Sequence, residues 1–142
     1  MPQEALVELC VRMAKYKKEN KELLHYLLFE NTNERHYITA IKEEMEREFA
    51  EINVSNMFFA KKSIRRILRM ANKYIKYSGQ AETEIEVLVH FCKQLKVLKI
   101  DYTKSTAMVN LYNSQLKKIH KALNTLHEDL QYEYQKDLEW IS

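Results

Sequence analysis

The sequence predicts an all-α protein, and three observations carry that reading. One glycine, Gly79, and one proline, Pro2, occur in 142 residues, so the 76 residues between them hold neither of the strongest helix breakers. Apolar residues recur at i, i+3, i+4 and i+7 along most of the chain, the period of a helix with one face on a core. Short polar clusters interrupt that period at spacings that suit turns between antiparallel helices.

The first stripe is Leu6, Leu9, Cys10 and Met13. Lys17-Lys18-Glu19-Asn20 breaks it, and Asn20 is placed to cap a second helix carrying Leu23, Leu24, Leu27 and Leu28. The alternative is one continuous helix from about residue 3 to 30. Asn31-Thr32-Asn33 reads as a connector, with Asn33 before Glu34 suiting a helix start. The third helix has a single apolar face, Ile38, Ile41, Met45, Phe49 and Ile52, and an acidic face of Glu43, Glu44, Glu46, Glu48 and Glu51. Asn53 to Ser55 interrupts it, and Ser55 is the expected N-cap of a fourth helix that runs to about Tyr77.

Ser78-Gly79-Gln80 then supplies a stop, because glycine tolerates the left-handed geometry of a helix C-terminus. Lys73 and Lys76 suit the negative end of that helix dipole, and Glu82, Glu84 and Glu86 suit the opening turns of the fifth helix. The fifth stripe is Ile85, Leu88, Phe91, Cys92, Leu95 and Leu98, followed by a short loop from Asp101 to Ser105. In the last segment Val109, Tyr112, Leu116, Ile119, Leu123, Leu126 and Leu130 alternate steps of three and four, a coiled-coil repeat that Tyr134, Leu138 and Ile141 extend. That pattern predicts one helix of about 30 residues, roughly 45 Å long.

These elements predict one domain spanning residues 1–142, a bundle of five or six antiparallel helices. Stacked helical hairpins in the HEAT style are the alternative, although hairpin starts near residues 3, 33 and 81 give no repeat period. Hydrophobic residues are 46% and charged residues 30%, a globular balance. No run approaches the roughly 20 apolar residues that span a bilayer. Met1-Pro2-Gln3-Glu4 lacks a basic, signal-like start, so a cytoplasmic location is expected. Cys10 and Cys92 both sit on apolar stripes and read as buried, reduced thiols rather than a disulfide.

The string Lys15-Tyr16-Lys17-Lys18-Glu19-Asn20-Lys21-Glu22-Leu23-Leu24, with Leu126-His127-Glu128-Asp129-Leu130-Gln131 near the other end, resembles small uncharacterised all-helical bacterial proteins. The resemblance spans most of the chain. It implies a helical fold and no activity.

Charge carries the functional reading. Net charge is +3, yet residues 55–80 hold seven cations and no acid, whereas residues 31–54 hold three cations and six acids. On a helical wheel Lys61, Lys62, Arg65, Arg66, Arg69, Lys73 and Lys76 share one arc beside the apolar face of Met57, Ala60, Ile64, Ile67, Leu68, Ala71 and Ile75, with Tyr74 and Tyr77 at the far side. Such a stripe can neutralise phosphates while tyrosines stack on unpaired bases, or it can meet an acidic protein or an anionic membrane. Against this stands a plain reading: solvated cations partly neutralised by the acidic helix before them.

The remaining constellations are weaker. Gly-poor composition removes phosphate-cradling loops. Glu22-x-x-His25 has the spacing of a carboxylate-bridged metal site, the basis of an alternative reading as a metal-dependent bundle enzyme, but His36, His90, His120 and His127 lack an acid three residues earlier. His127-Glu128-Asp129 and His90-Phe91-Cys92 put reactive groups on diverging sides of a helix. Ser114 and the other serines lack a nucleophile elbow. The seam from Val109 to Leu130 serves either the core or a structural homodimer, and Tyr132, Tyr134 and Trp140 form a second aromatic patch or a frayed end. The sequence therefore predicts a non-enzymatic protein without cofactor, presenting Lys61, Lys62, Arg65, Arg66, Arg69, Lys73 and Lys76 to a macromolecular partner: a protein first, nucleic acid second.

Overall fold

The computed structural model describes residues 2–142, and every regular element among them is helical. The chain forms two compact units, one ending at Tyr37 and one running from Ile38 to Ser142.

In the first unit α1 (Gln3–Tyr16) and α2 (Lys18–His25) meet at a single extended residue, Lys17, with φ −139° and ψ 147°. The break expected at Lys17 is therefore present, but Asn20 does not cap α2. Helix α2 starts earlier, at Lys18, which leaves Asn20 inside its first turn; there the side-chain amide donates to the Met13 carbonyl at 2.8 Å. It satisfies one of the last-turn carbonyls that α1 leaves without an intrahelical partner. A π-helical turn, Tyr26–Glu30, follows directly and closes with the Asn31 N–H on the Tyr26 carbonyl at 3.0 Å. Its wider register breaks the expected stripe: Leu27 and Leu28 are exposed, while Tyr26 is buried. The Tyr26 hydroxyl donates to Glu34 at 2.7 Å and its ring lies 4.6 Å from that of Tyr37. Asn33 does start the next helix, accepting the His36 N–H at 3.1 Å.

The second unit is built around α5 (Ala81–Val97), which packs on α4 (Met57–Ser78), α6 (Thr106–Leu123) and α8 (Gln135–Ile141). Eight of its seventeen residues are buried, among them Ile85, Leu88, Phe91, Cys92 and Leu95 of the expected stripe. Leu98 lies one residue beyond the helix and is half-buried. The apolar face of α3 (Glu34–Ala50) behaves as its spacing predicts: Ile38, Ile41, Met45 and Phe49 are buried, as is Ile52 just beyond its end. Phe49 meets Phe91 at a ring separation of 5.7 Å.

Helix α4 is capped one residue later than expected. Asn56, not Ser55, accepts the Phe59 N–H at 3.2 Å, because Ser55 turns its backbone N–H and hydroxyl onto the Asn53 side chain. Gly79 ends the helix at φ 66°, the one left-handed residue among those described. The Asp101–Ser105 loop contains a 3₁₀ turn at Tyr102–Lys104, and Ser105 caps α6 by accepting the Met108 N–H at 3.4 Å.

The largest correction concerns the last segment. The repeat from Val109 to Leu130 predicts one long helix, but α6 ends at Leu123 and is followed by α7 (Glu128–Glu133) and α8. Thr125 donates its hydroxyl to the Ala122 carbonyl at 2.6 Å, the Leu126 N–H closes a turn on Leu123 at 2.9 Å, and His127 Nδ1 caps α7 by accepting the Asp129 N–H at 3.2 Å. The chain then doubles back. Lys93 pairs with Asp137, Lys96 Nζ reaches the Trp140 carbonyl at 2.6 Å, and the buried Tyr112 hydroxyl donates to the Ile141 carbonyl. Folding back buries Ile141, worth roughly 1.5–3 kcal/mol for such a side chain. A straight helix would have left it in water.

Cys92 is buried, but Cys10 is exposed, contrary to its expected place in a core; both are free thiols. No described helix is long and apolar enough to cross a membrane.

Candidate functional site

The α4 surface is set by the helix's own periodicity. Ala60, Ile64, Ile67 and Ala71 point inward and are buried, which turns the opposite arc to solvent. Lys62, Arg65, Arg66, Arg69 and Lys76 are exposed there, and Lys61 and Lys73 are half-buried on its borders. Lys62, Ser63, Arg65, Arg66 and Arg69 together line a shallow depression of about 450 Å³.

The acidic face of α3 reaches the border of this surface through Glu48 and Glu44. Arg66 pairs with Glu48 at 2.9 Å, both groups partly exposed, a pair worth under about 1 kcal/mol. Tyr74 donates its hydroxyl to Glu44 at 3.4 Å. Among the described residues Lys62, Arg65 and Arg69 have no carboxylate within ion-pair distance. The central cations therefore face solvent without a carboxylate beside them.

Two residues that the sequence reading passed over belong to this face. Phe58 and Phe59 are 61% and 53% exposed and meet edge-on at 5.5 Å, and Lys62 Nζ lies 4.6 Å above the Phe58 ring. The signal was available, since Phe58 falls on the cationic arc of the wheel and not on the apolar one. Tyr74 and Tyr77, the aromatics expected to serve this face, are half-buried and meet each other at 6.4 Å. The exposed aromatic end of the stripe is thus its N-terminal end.

A second polar group lies where α3, α5 and the C-terminal helices meet. Glu86 takes Lys42 at 3.1 Å and the Tyr134 hydroxyl at 3.2 Å, and Lys93 pairs with Asp137 beside them. His90 Nε2 stands 3.1 Å from Glu46 without the alignment of a hydrogen bond. Burial holds the His90 imidazole below its ordinary value; Glu46 opposes that shift, and Lys42 and Lys93 reinforce it. With only about 50 Å³ of cavity, this group is a polar seam that ties elements together.

The other sequence candidates are dispersed. Glu30 stands 3.8 Å from His25 and 3.7 Å from His36, and no group of three His, Cys, Asp or Glu among the described residues is arranged to hold a metal ion. Burial pushes the Cys92 thiol up to about 12, while His90 points to Glu46, so no Cys–His pair forms. His120 and His127 are exposed, the latter occupied as a helix cap. Of the coiled-coil seam, Tyr112, Ile119 and Leu123 are buried within the chain, Val109, Leu116 and Leu126 are half-buried, and Leu130 is exposed beyond the break. Tyr132, Tyr134 and Trp140 do not make one patch: Tyr134 is held by Glu86, Trp140 lies under Lys96 at 5.4 Å, and Tyr132 projects into solvent.

Fold and surface together define a class: an all-helical chain carrying a cationic face with an exposed aromatic end. No protein family model, curated protein or solved structure matches the chain. The resemblance to small bacterial helical proteins therefore rests on its two sequence strings alone.

Proposed function

We propose that this is a non-enzymatic, cytoplasmic helical protein that presents the outer face of α4 to an acidic macromolecular partner, a protein in the first place. The observation that carries the reading is the charge left open at Lys62, Arg65 and Arg69, which the acidic helix beside them does not neutralise. Lys61, Arg66, Lys73 and Lys76 extend the face over most of the helix. Cations carried on a preformed helix meet a polyanion without the backbone first being ordered, which lowers the cost of association. The arrangement proposed for the chain that displays them is an antiparallel bundle of five or six main helices, with stacked hairpins as the alternative.

A single-stranded nucleic acid is the second reading, favoured by Phe58 on the same arc. Bases stack on exposed rings for about 1–3 kcal/mol each while the cations track the backbone. Fluorescence anisotropy with labelled poly-glutamate, single-stranded RNA and duplex DNA over a range of salt tests both. Binding of poly-glutamate that falls steeply with salt and disappears in Lys62→Glu/Arg65→Glu/Arg69→Glu supports the first reading. RNA binding that is also lost in Phe58→Ala moves the assignment to nucleic acid. A flat signal for all three probes at low salt overturns the proposal.

A further inference from the structure

We propose that the partner of α4 is a short acidic peptide segment ending in a bulky apolar residue, which seats that residue on Phe58 and Phe59 and lays its acids along Lys62, Arg65 and Arg69. The inference rests on the reading of α4 as a face for an acidic protein, and adds what that protein must carry besides charge. Two exposed rings are the reason. Ala60, Ile64, Ile67 and Ala71 turn into the core, yet Phe58 and Phe59 in the first turn stay 61% and 53% exposed. Packing does not account for them, and the helix cap uses only the Phe59 backbone, whose N–H donates to Asn56. Half-exposed rings of this size leave on the order of 200 Å² of apolar surface together, the scale of one anchoring side chain.

The rings and the cations form one continuous surface. At about 100° per residue, Phe58, Lys62, Arg65 and Arg69 fall within about 60° of arc, and Phe59 lies across Lys62 from Phe58. Lys62 Nζ stands 4.6 Å above the Phe58 ring, so no gap separates the apolar corner from the charged row. Residues 55–80 hold seven cations and no acid, which fixes the sign of the occupant. From Phe58 to Arg69 the row is about 16 Å long, covered by about five extended residues or about eleven helical ones. An apolar anchor at one end then sets register and residence, while the acids speed the encounter.

The same geometry disfavours other polyanions. Bases stack on free ring faces spaced along a cationic groove. Here Lys62 covers one face of Phe58, Phe59 meets it edge-on at 5.5 Å, and Tyr74 and Tyr77 further along are half-buried. An anionic bilayer takes up the apolar face of an amphipathic helix, and in α4 that face is buried in the core.

Anisotropy of the full chain with labelled peptide pairs tests this: about eight glutamates with a leucine at either terminus, each beside a twin with alanine for leucine. One leucine peptide should bind at least about tenfold tighter than its twin, and added salt should weaken both while preserving their ratio. Phe58→Ala/Phe59→Ala should erase the leucine advantage and leave alanine-peptide binding in place, with circular dichroism unchanged. Leucine and alanine peptides that bind the wild type equally overturn this inference and leave the acidic-protein reading standing. So does a leucine advantage that survives Phe58→Ala/Phe59→Ala, which would put the anchor elsewhere on the chain. Failure of every acidic peptide at low salt removes both readings, and co-sedimentation with phosphatidylserine vesicles that the phenylalanine variant loses would then assign the face to a membrane.

Discussion

Helices α1 and α5 are both rich in apolar residues, with nine of fourteen in α1 and nine of seventeen in α5, yet their fates are opposite. Helix α5 buries eight residues, while α1 buries Ala14 alone. The difference lies in the neighbours. Helix α5 is flanked by α4, α6 and α8, whereas α1 packs chiefly on α2. Hydrophobic periodicity reports that a helix face seeks a partner, and it does not report whether that partner lies in the same chain.

The contrast can be broken most forcefully in the core. Phe91→Ala removes a fully buried ring packed on Phe49 and should cost about 3–5 kcal/mol in urea unfolding, whereas Leu9→Ala should change stability by less than about 0.5 kcal/mol. Equal losses would mean that α1 is buried after all. The two cysteines sharpen the same point. A thiol reagent at pH 8 should modify the exposed Cys10 promptly and Cys92 at least about a thousandfold more slowly, only through opening of the core. Rapid loss of both thiols would contradict the burial of α5.

A smaller effect tests the returning C-terminal segment. Tyr112→Phe leaves the ring and deletes the hydrogen bond to the Ile141 carbonyl, so a loss of about 1–2 kcal/mol in thermal unfolding is expected. The mildest concerns His90. Its imidazole has a folded value below the ordinary 6.5, so the unfolded chain binds the proton more tightly and stability falls as pH drops below about 6.5. Glu46, Lys42, Lys93, Glu86 and Asp137 surround it and set the size of the effect. In His90→Gln the slope of melting temperature against pH between 7 and 5 should flatten; an unchanged slope would assign the acid sensitivity to the carboxylates.

Much of this was readable in advance because it is local. The Gly79 stop, the buried face from Ile38 to Ile52 and the α5 stripe follow from backbone freedom and from one period. Caps were readable to within a residue: Ser55 and Asn56 are both good N-caps, and the competing bond to Asn53 decides between them. The cationic arc of α4 was likewise visible, and Phe58, whose position falls on that arc, was visible with it. Beyond reach were features decided by distant groups. The repeat through Leu126 and Leu130 satisfies the coiled-coil pattern, but burial of Ile141 and the bonds of the returning segment to Lys93 and Tyr112 outweigh it. Exposure of Cys10 depends on what stands opposite α1, which no period within α1 encodes.

The π turn at Tyr26–Glu30 has a consequence for how this chain changes over time. A π turn is what an α-helix becomes when it accepts one residue too many. Removing any one residue between 26 and 30 would return the turn to α winding and shift the side chains within it by up to about 100° around the helix. Tyr26 would then lose its alignment with Glu34 and Tyr37, and Leu27, Leu28 and Phe29 would exchange their outward positions. Substitutions in this turn are therefore gentle changes, while single-codon deletions are abrupt ones.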